Sequence, residues 1–159
     1  MASAILSIYD ALAAVTVSDG TNSIAARDVD LQPNSLTTAD APLRILTVID
    51  PRGGQQQARS DTSWGAAAGS GLYRITWIIY DVLYHTPLAQ GRGIRDVNVA
   101  LLTYMGNYYA MLAATVALPA DAALASCTMQ PSVLEYPLGS GHTWYAVRGM
   151  LTIQEDVCP

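Results

Sequence analysis

Residues able to do covalent or metal chemistry are few and scattered. The chain holds two histidines, His85 and His142, and two cysteines, Cys127 and Cys158. A zinc site draws on closely spaced ligand pairs, and none of these four forms one. Each histidine falls at a strand end near a turn, so a solvent-facing or turn-bonded ring is expected. The cysteines lie too far apart to be a disulfide framework. They could pair, but a reduced, structural state is the expectation. The "RDVD" stretch (27–30) offers two carboxylates, yet a hard cation needs several more oxygens, so a solvated loop is expected. Glu135 and Glu155 are the only glutamates. Both fall near the ends of strands and read as polar rim positions. "GRGIRD" (91–96) starts like a dinucleotide fingerprint, but Asp96 stands where the third glycine belongs, and no strand and tight turn directly precede it. No P-loop, H-E-x-x-H or G-x-S-x-G occurs. The residues give no positive sign of catalysis, and no cofactor or metal is expected.

The composition points to contact surfaces instead. Of 159 residues, 51% are apolar and 13% charged, against about 25% charged in ordinary soluble domains. A chain with so thin a polar coat is expected to cover part of its surface with other subunits. An Ala-rich compact monomer is the plainer alternative. All eight cations are arginine, and nine tyrosines and three tryptophans replace phenylalanine entirely. Arg, Tyr and Trp suit interfaces, although a GC-rich genome also explains arginine in place of lysine. The net charge of −5 argues against general nucleic-acid binding. Neither a signal peptide nor an apolar run of membrane-spanning length is read, so a soluble, intracellular protein is expected.

The elements that must position these residues follow from periodicity. Ile5, Ile8, Tyr9, Leu12 and Val15 recur at helical spacing over 3–15, with Ser3 as a candidate N-cap. "SDGTNS" (18–23) breaks that helix, and 24–42 is polar and mostly extended. "LRILTVID" (43–50) reads as a strand. Residues 51–71, with five glycines, read as one long mobile loop, of a kind that is usually functional or disordered. "LYRITWIIYDVLY" (72–84) is a strand. Val97, Leu101, Tyr104, Tyr108 and Leu112 mark a long helix over 93–114. Residues 118–127 read as a turn with room for a short helical piece. A strand over 128–136 carries Pro131, which suits an edge. A closing strand spans 142–156. The expected fold is a single α+β domain. Its antiparallel sheet has about four strands, with an N-terminal helix and a long central helix packed on one face.

The 72–84 strand raises the sharpest question, because it keeps Arg74 and Asp81 in an apolar run. Neither of its faces is plainly solvent. One is expected to take the helices and the other to meet a neighbour or border a lumen, with both charges toward the strand's ends where pairing or water is available. A two-layer core with Arg74 and Asp81 at its wet edges is the plainer alternative. Trp64, alone in a Gly-Ala-Ser loop, either tucks onto its own domain or anchors a partner. The partner contact is preferred, since tryptophan is enriched at interface hot spots. Arg52, Arg59 and Asp61 share that loop and either pair with neighbouring subunits or stay solvated. The candidate interface residues are therefore Arg52, Arg59, Asp61, Trp64, Arg74 and Asp81.

The order of "ILSIYDALAA" (5–14), "PLRILTVID" (42–50), "YRITWIIYDVLY" (73–84), "IRDVNVALLTYMGNYYAML" (94–112) and "WYAVRGMLTIQED" (144–156) resembles the tail terminator proteins of long-tailed bacteriophages. The resemblance is one of architecture and covers most of the chain. It implies a homohexameric ring on the head-proximal end of the tail tube, a structural virion component rather than an enzyme. Its implied partners are copies of itself, the tail tube protein, and a head–tail connector or head-completion protein. DNA would only pass through the lumen, and no membrane is involved. Another neck or tube component is the nearest alternative. A small α+β ligand-binding domain is the more distant one.

Overall fold

In a computed structural model of the chain, residues 4–27, 35–48, 61–64, 73–88, 94–114, 116–136 and 142–157 are described. Their order is helix α1 (Ile5–Ala13), strands β1 (Thr16–Ser18), β2 (Ser23–Ala25), β3 (Leu43–Thr47), β4 (Asp61–Trp64) and β5 (Tyr73–Pro87), helix α2 (Ile94–Ala114), and strands β6 (Ala122–Glu135) and β7 (Thr143–Val157). The chain is an α+β protein. Its main sheet is antiparallel, ordered β3-β5-β7-β6, and β4 pairs with β5 as well. β3 pairs with residues 80–84 of β5 and β4 with residues 73–76. Because β7 lines the other side of β5 along its length, β3 and β4 lie end to end on one edge.

The side-chain period of two splits β5 and β7 into two faces. Trp77, Ile79, Asp81 and Leu83 of β5 share a face with Val147, Leu151, Ile153 and Glu155 of β7. That face takes α1 and α2: Ile8, Leu12, Val97, Leu101, Tyr104 and Tyr108 join Leu46, Ile79, Leu83, Val147 and Leu151 in the larger core. Gly149 lies opposite Asp81 within it. A Cβ there would come 2.8 Å from Met129 Sδ and 3.0 Å from the Asp81 carbonyl oxygen, so the close packing needs glycine at this point.

Over much of its length the opposite face follows the plainer alternative, a two-layer core, rather than the expected contact with a neighbour. Leu43, Ile45, Tyr80, Val82, Tyr84, Leu134, Trp144 and Ala146, joined by Leu36 and Tyr136, form a second core inside the same subunit. Toward the other end this face opens. Arg74 and Asp156 are exposed there, and Thr76, Ile78, Thr152 and Gln154 are half-buried.

Several local expectations are corrected. Residues 61–64, placed in a loop, form β4, because pairing with β5 satisfies their backbone. Residues 122–127, read as a turn, belong to β6: opposite them β7 offers a long unpaired edge. A bulge near Leu124/Ser126 absorbs the change in register. Pro131 does lie in an edge strand. β1 and β2, which periodicity missed, form a small hairpin across the 18–23 break. Gly20 sits at φ 97° in its turn, a conformation that favours glycine.

Helix α1 is short and lacks local end signals. Ala4 occupies its N-cap with no side-chain bond, no acid lies in its first turn and no base in its last. A helix of nine residues is marginal alone. Tertiary contacts supply both missing charges. The Ala4 N–H donates to Glu155 Oε1, and Arg44 donates to the Leu12 and Val15 carbonyl oxygens. An acid at the start and a base at the end both favour the helix dipole.

Candidate assembly surfaces

The two charges of β5 have opposite fates. Asp81 is not at a wet strand end; it is fully buried in mid-strand. Arg44 of β3, also fully buried, reaches it with Nε at 3.0 Å from both carboxylate oxygens and Nη2 at 2.6 Å from Oδ2. The Tyr108 hydroxyl of α2 donates to the same Oδ2 at 2.6 Å. The guanidinium also lies 5.6 Å from the Tyr108 ring centre. Burial alone would lower the Arg44 pKa, but the Asp81 charge and hydrogen bonds raise it instead. Burial, then Asp81, pushes the Tyr108 phenol well up. A buried pair persists when its remaining donors find acceptors, and here Arg44 spends its spare N–H groups on the end of α1. The node therefore ties β3, β5, α1 and α2 together. It leaves Asp81 no surface to offer a partner.

Arg74, by contrast, faces solvent and pairs with Asp156 of β7 through two hydrogen bonds of 2.7 and 2.9 Å. Asp61 and Trp64 lie in β4, in register with Thr76 and Tyr73. Arg52 and Arg59 lie outside the described residues, as do 51–60 and 65–71 of the expected loop. The structure thus brings the β4 backbone beside Arg74, at the open end of the sheet, and separates Asp81 from that end.

Glu155 is a second correction. Read as a rim residue, it is buried. One oxygen accepts the Trp77 Nε1–H at 2.8 Å and the other caps α1. His85 is turn-bonded: Nδ1 lies 2.7 Å from Thr86 Oγ1 and Nε2 lies 3.2 Å from Asp19 Oδ2. Asp19 also accepts the Thr21 and Asn22 backbone N–H groups. Burial raises its pKa, but these bonds and the nearby His85 outweigh that and hold the carboxyl below its ordinary range. Asp28, Asp30 and Cys158 lie outside the described residues. Among those described, no three His, Cys, Asp or Glu side chains gather as a metal site, and no helix is long and apolar enough to cross a membrane.

Sequence reasoning singled out neither of two further surfaces. β6 is a 14-residue edge strand whose side chains are mostly exposed or half-buried. Its Met129 N–H turns away from β7 to the Tyr109 hydroxyl at 3.2 Å. Pro131, two residues on, has no N–H to leave open on the same edge. The second surface is the outer side of α2, where Ile94, Val99 and Leu102 are each about 60% exposed. The signal for it was present in the sequence as a second apolar stripe beside the first. An apolar crevice of 410 Å³ opens between the ends of α1 and α2 and the start of β6, lined by Leu12, Leu112, Val116, Leu118, Leu124 and Ile153. Among the described residues its lining side chains are all apolar, so they offer no anchor for a polar ligand. No protein-family description, curated protein or solved structure matches the chain.

Proposed function

We propose that the chain is a structural subunit of a phage tail terminator: a ring at the head-proximal end of the tail tube that ends tube growth and joins the tail to the head connector. The observation that carries this reading is the order and layering of elements. An N-terminal helix, the β3 and β5 strands, a long helix and a closing strand pair follow one another, with both helices on one face of an antiparallel sheet. That is the architecture the resemblance implies. A fold alone does not carry a function, so the surfaces matter too. Closing a ring takes two different patches on each subunit. The β6 edge and the end of the sheet around Arg74 and Asp156 are two such open regions. Arg52, Arg59, Asp61, Trp64 and Arg74 are the residues proposed to meet neighbours; Asp81 is not among them.

The test is mass by light scattering over a range of concentrations, with negative-stain images of the same sample. Six-subunit rings with a central hole are the expected result. If the free protein is monomeric, isolated tail tubes are added and capped tube ends are expected. A monomer that ignores tubes overturns the reading.

A further inference from the structure

Helix α2 has two apolar faces, and its own fold uses one. Val97, Leu101, Tyr104, Tyr108 and Met111 are buried against the sheet. On the outer side, Arg95, Val99, Leu102, Gly106, Tyr109 and Ala113 follow one another at spacings of four, three, four, three and four, and all are exposed. This alternation is the spacing found along a coiled-coil seam. Leu102 is 61% and Val99 58% exposed. Tyr109 is held in place by the Met129 N–H.

Two features of the stripe are unexplained by the subunit alone. Gly106 stands in the middle of a 21-residue helix, where glycine is unfavourable. Among the described residues, nothing outside the helix's own nearby backbone lies within 4 Å of where its Cβ would be, so their packing does not ask for glycine there. Arg95 lies in the first turn, the end of the helix that disfavours a cation, while the last turn of α2 has no base.

We infer that α2 pairs with α2 of a second copy, antiparallel about a twofold axis level with Tyr104. Residue numbers facing each other across that axis add to 208. Leu102 of each copy then enters the gap left by Gly106 of the other, and Val99 meets Tyr109. Arg95 reaches the partner's last turn near Ala113, where the helix dipole is negative and no base of its own is present. One contact thus gives both anomalies a use. The charge complement favours antiparallel over parallel pairing, which would bring Arg95 beside its own copy. The contact is isologous, so it does not close a ring, and it stands whether or not the ring reading holds.

The experiment is light scattering on the full chain, wild type and three variants, with circular dichroism to follow folding. The wild type is expected as an even-numbered assembly. Leu102→Asp, at an exposed site, is expected to halve the mass with unchanged helix content. Gly106→Ala should raise the melting temperature measured below the pairing concentration and weaken pairing about tenfold, a combination that misfolding cannot produce. Arg95→Glu should weaken pairing several-fold at low salt and less at high salt. A wild type monomeric up to about 1 mM, a Leu102→Asp mass equal to wild type, or an Arg95→Glu variant that pairs normally each overturns the proposal. Negative stain separates the two readings: rings that persist at half the mass in Leu102→Asp owe their closure to other surfaces, whereas pairing without any ring removes the ring reading alone.

Discussion

Strand β5 carries an arginine–aspartate pair near its middle and another near its start, and the two do different work. Asp81 meets Arg44 in the core, with Tyr108 as a third member and the end of α1 as a fourth. Arg74 meets Asp156 in water. Both pairs have good geometry, so geometry does not distinguish them. Burial does. In the core, each charge has lost its water and depends wholly on its partners. At the surface, water replaces a lost partner at little cost. The comparison separates what holds this subunit together from what it can offer to others.

The largest effect is expected at the core pair. Asp81→Ala leaves a buried guanidinium and a buried phenol without their acceptor, and should cost about 4 kcal/mol. At roughly 3 °C per kcal/mol for a chain of this size, the melting temperature falls by about 12 °C. The sharper form of the test is Arg44→Met with Asp81→Leu and Tyr108→Phe. Removing all three polar groups together should cost less than Asp81→Ala alone, because no charge is left stranded. A triple variant worse than the single would mean that the Arg44 bonds to the end of α1, not the pair, dominate the node.

Gly149→Ala tests the packing around Asp81 without touching a charge. The new methyl would meet Met129 Sδ and the Asp81 carbonyl. Flexible Met129 can yield, but the backbone opposite yields less, so a loss of about 1–3 kcal/mol is expected in urea unfolding.

The two regions should also respond to opposite ends of the pH scale. Burial holds the Tyr104 and Tyr108 phenols well above their ordinary value of 10.0. Folded values above the unfolded ones leave stability intact below pH 10 and remove it above, where the unfolded phenols ionise first. Tyr108→Phe should therefore flatten the alkaline limb of a melting-temperature profile. The Arg74 hydrogen bond holds Asp156 below its ordinary 3.8. A depressed folded value gives stability that is present above that pH and lost as pH falls through the folded pKa. Arg74→Ala should flatten the acid limb only slightly, because both groups are exposed and water screens the pair, so the increment lost above that limb is small too.

The smallest effect on stability is expected for Arg74→Ala at neutral pH, with a urea midpoint indistinguishable from wild type. Its consequence should appear in assembly instead, as fewer rings in negative stain. A large loss of stability would put Arg74 in the same class as Arg44.

Much of the fold could be read in advance. The stripe from Val97 to Tyr108 and the alternation from Trp144 to Ile153 are strong periodic signals, and they fixed one long helix, one long strand and the α+β class. Pro131 marked an edge strand because it lacks the donor an inner strand needs. The candidate site was less legible. β4 carries the polar "DTSW" among glycines, so only pairing with β5 makes it a strand. Asp81 and Arg74 look alike in sequence because a charge carries no mark of its depth. Glu155 looked like a rim residue for the same reason.

Legible along the chain were the elements with a sustained period, the scarcity of residues suited to catalysis, and the excess of apolar over charged residues. These are local or additive properties, and a reader needs no partner residue to see them. The tertiary structure alone decided which charges meet. Arg44 lies 37 residues from Asp81, and Glu155 lies 151 residues from the helix start it caps. The short helix α1 has no cap of its own, and its two ends are completed by residues from β3 and β7. Such pairings depend on register between strands that are distant in the chain, and no spacing along the chain encodes them.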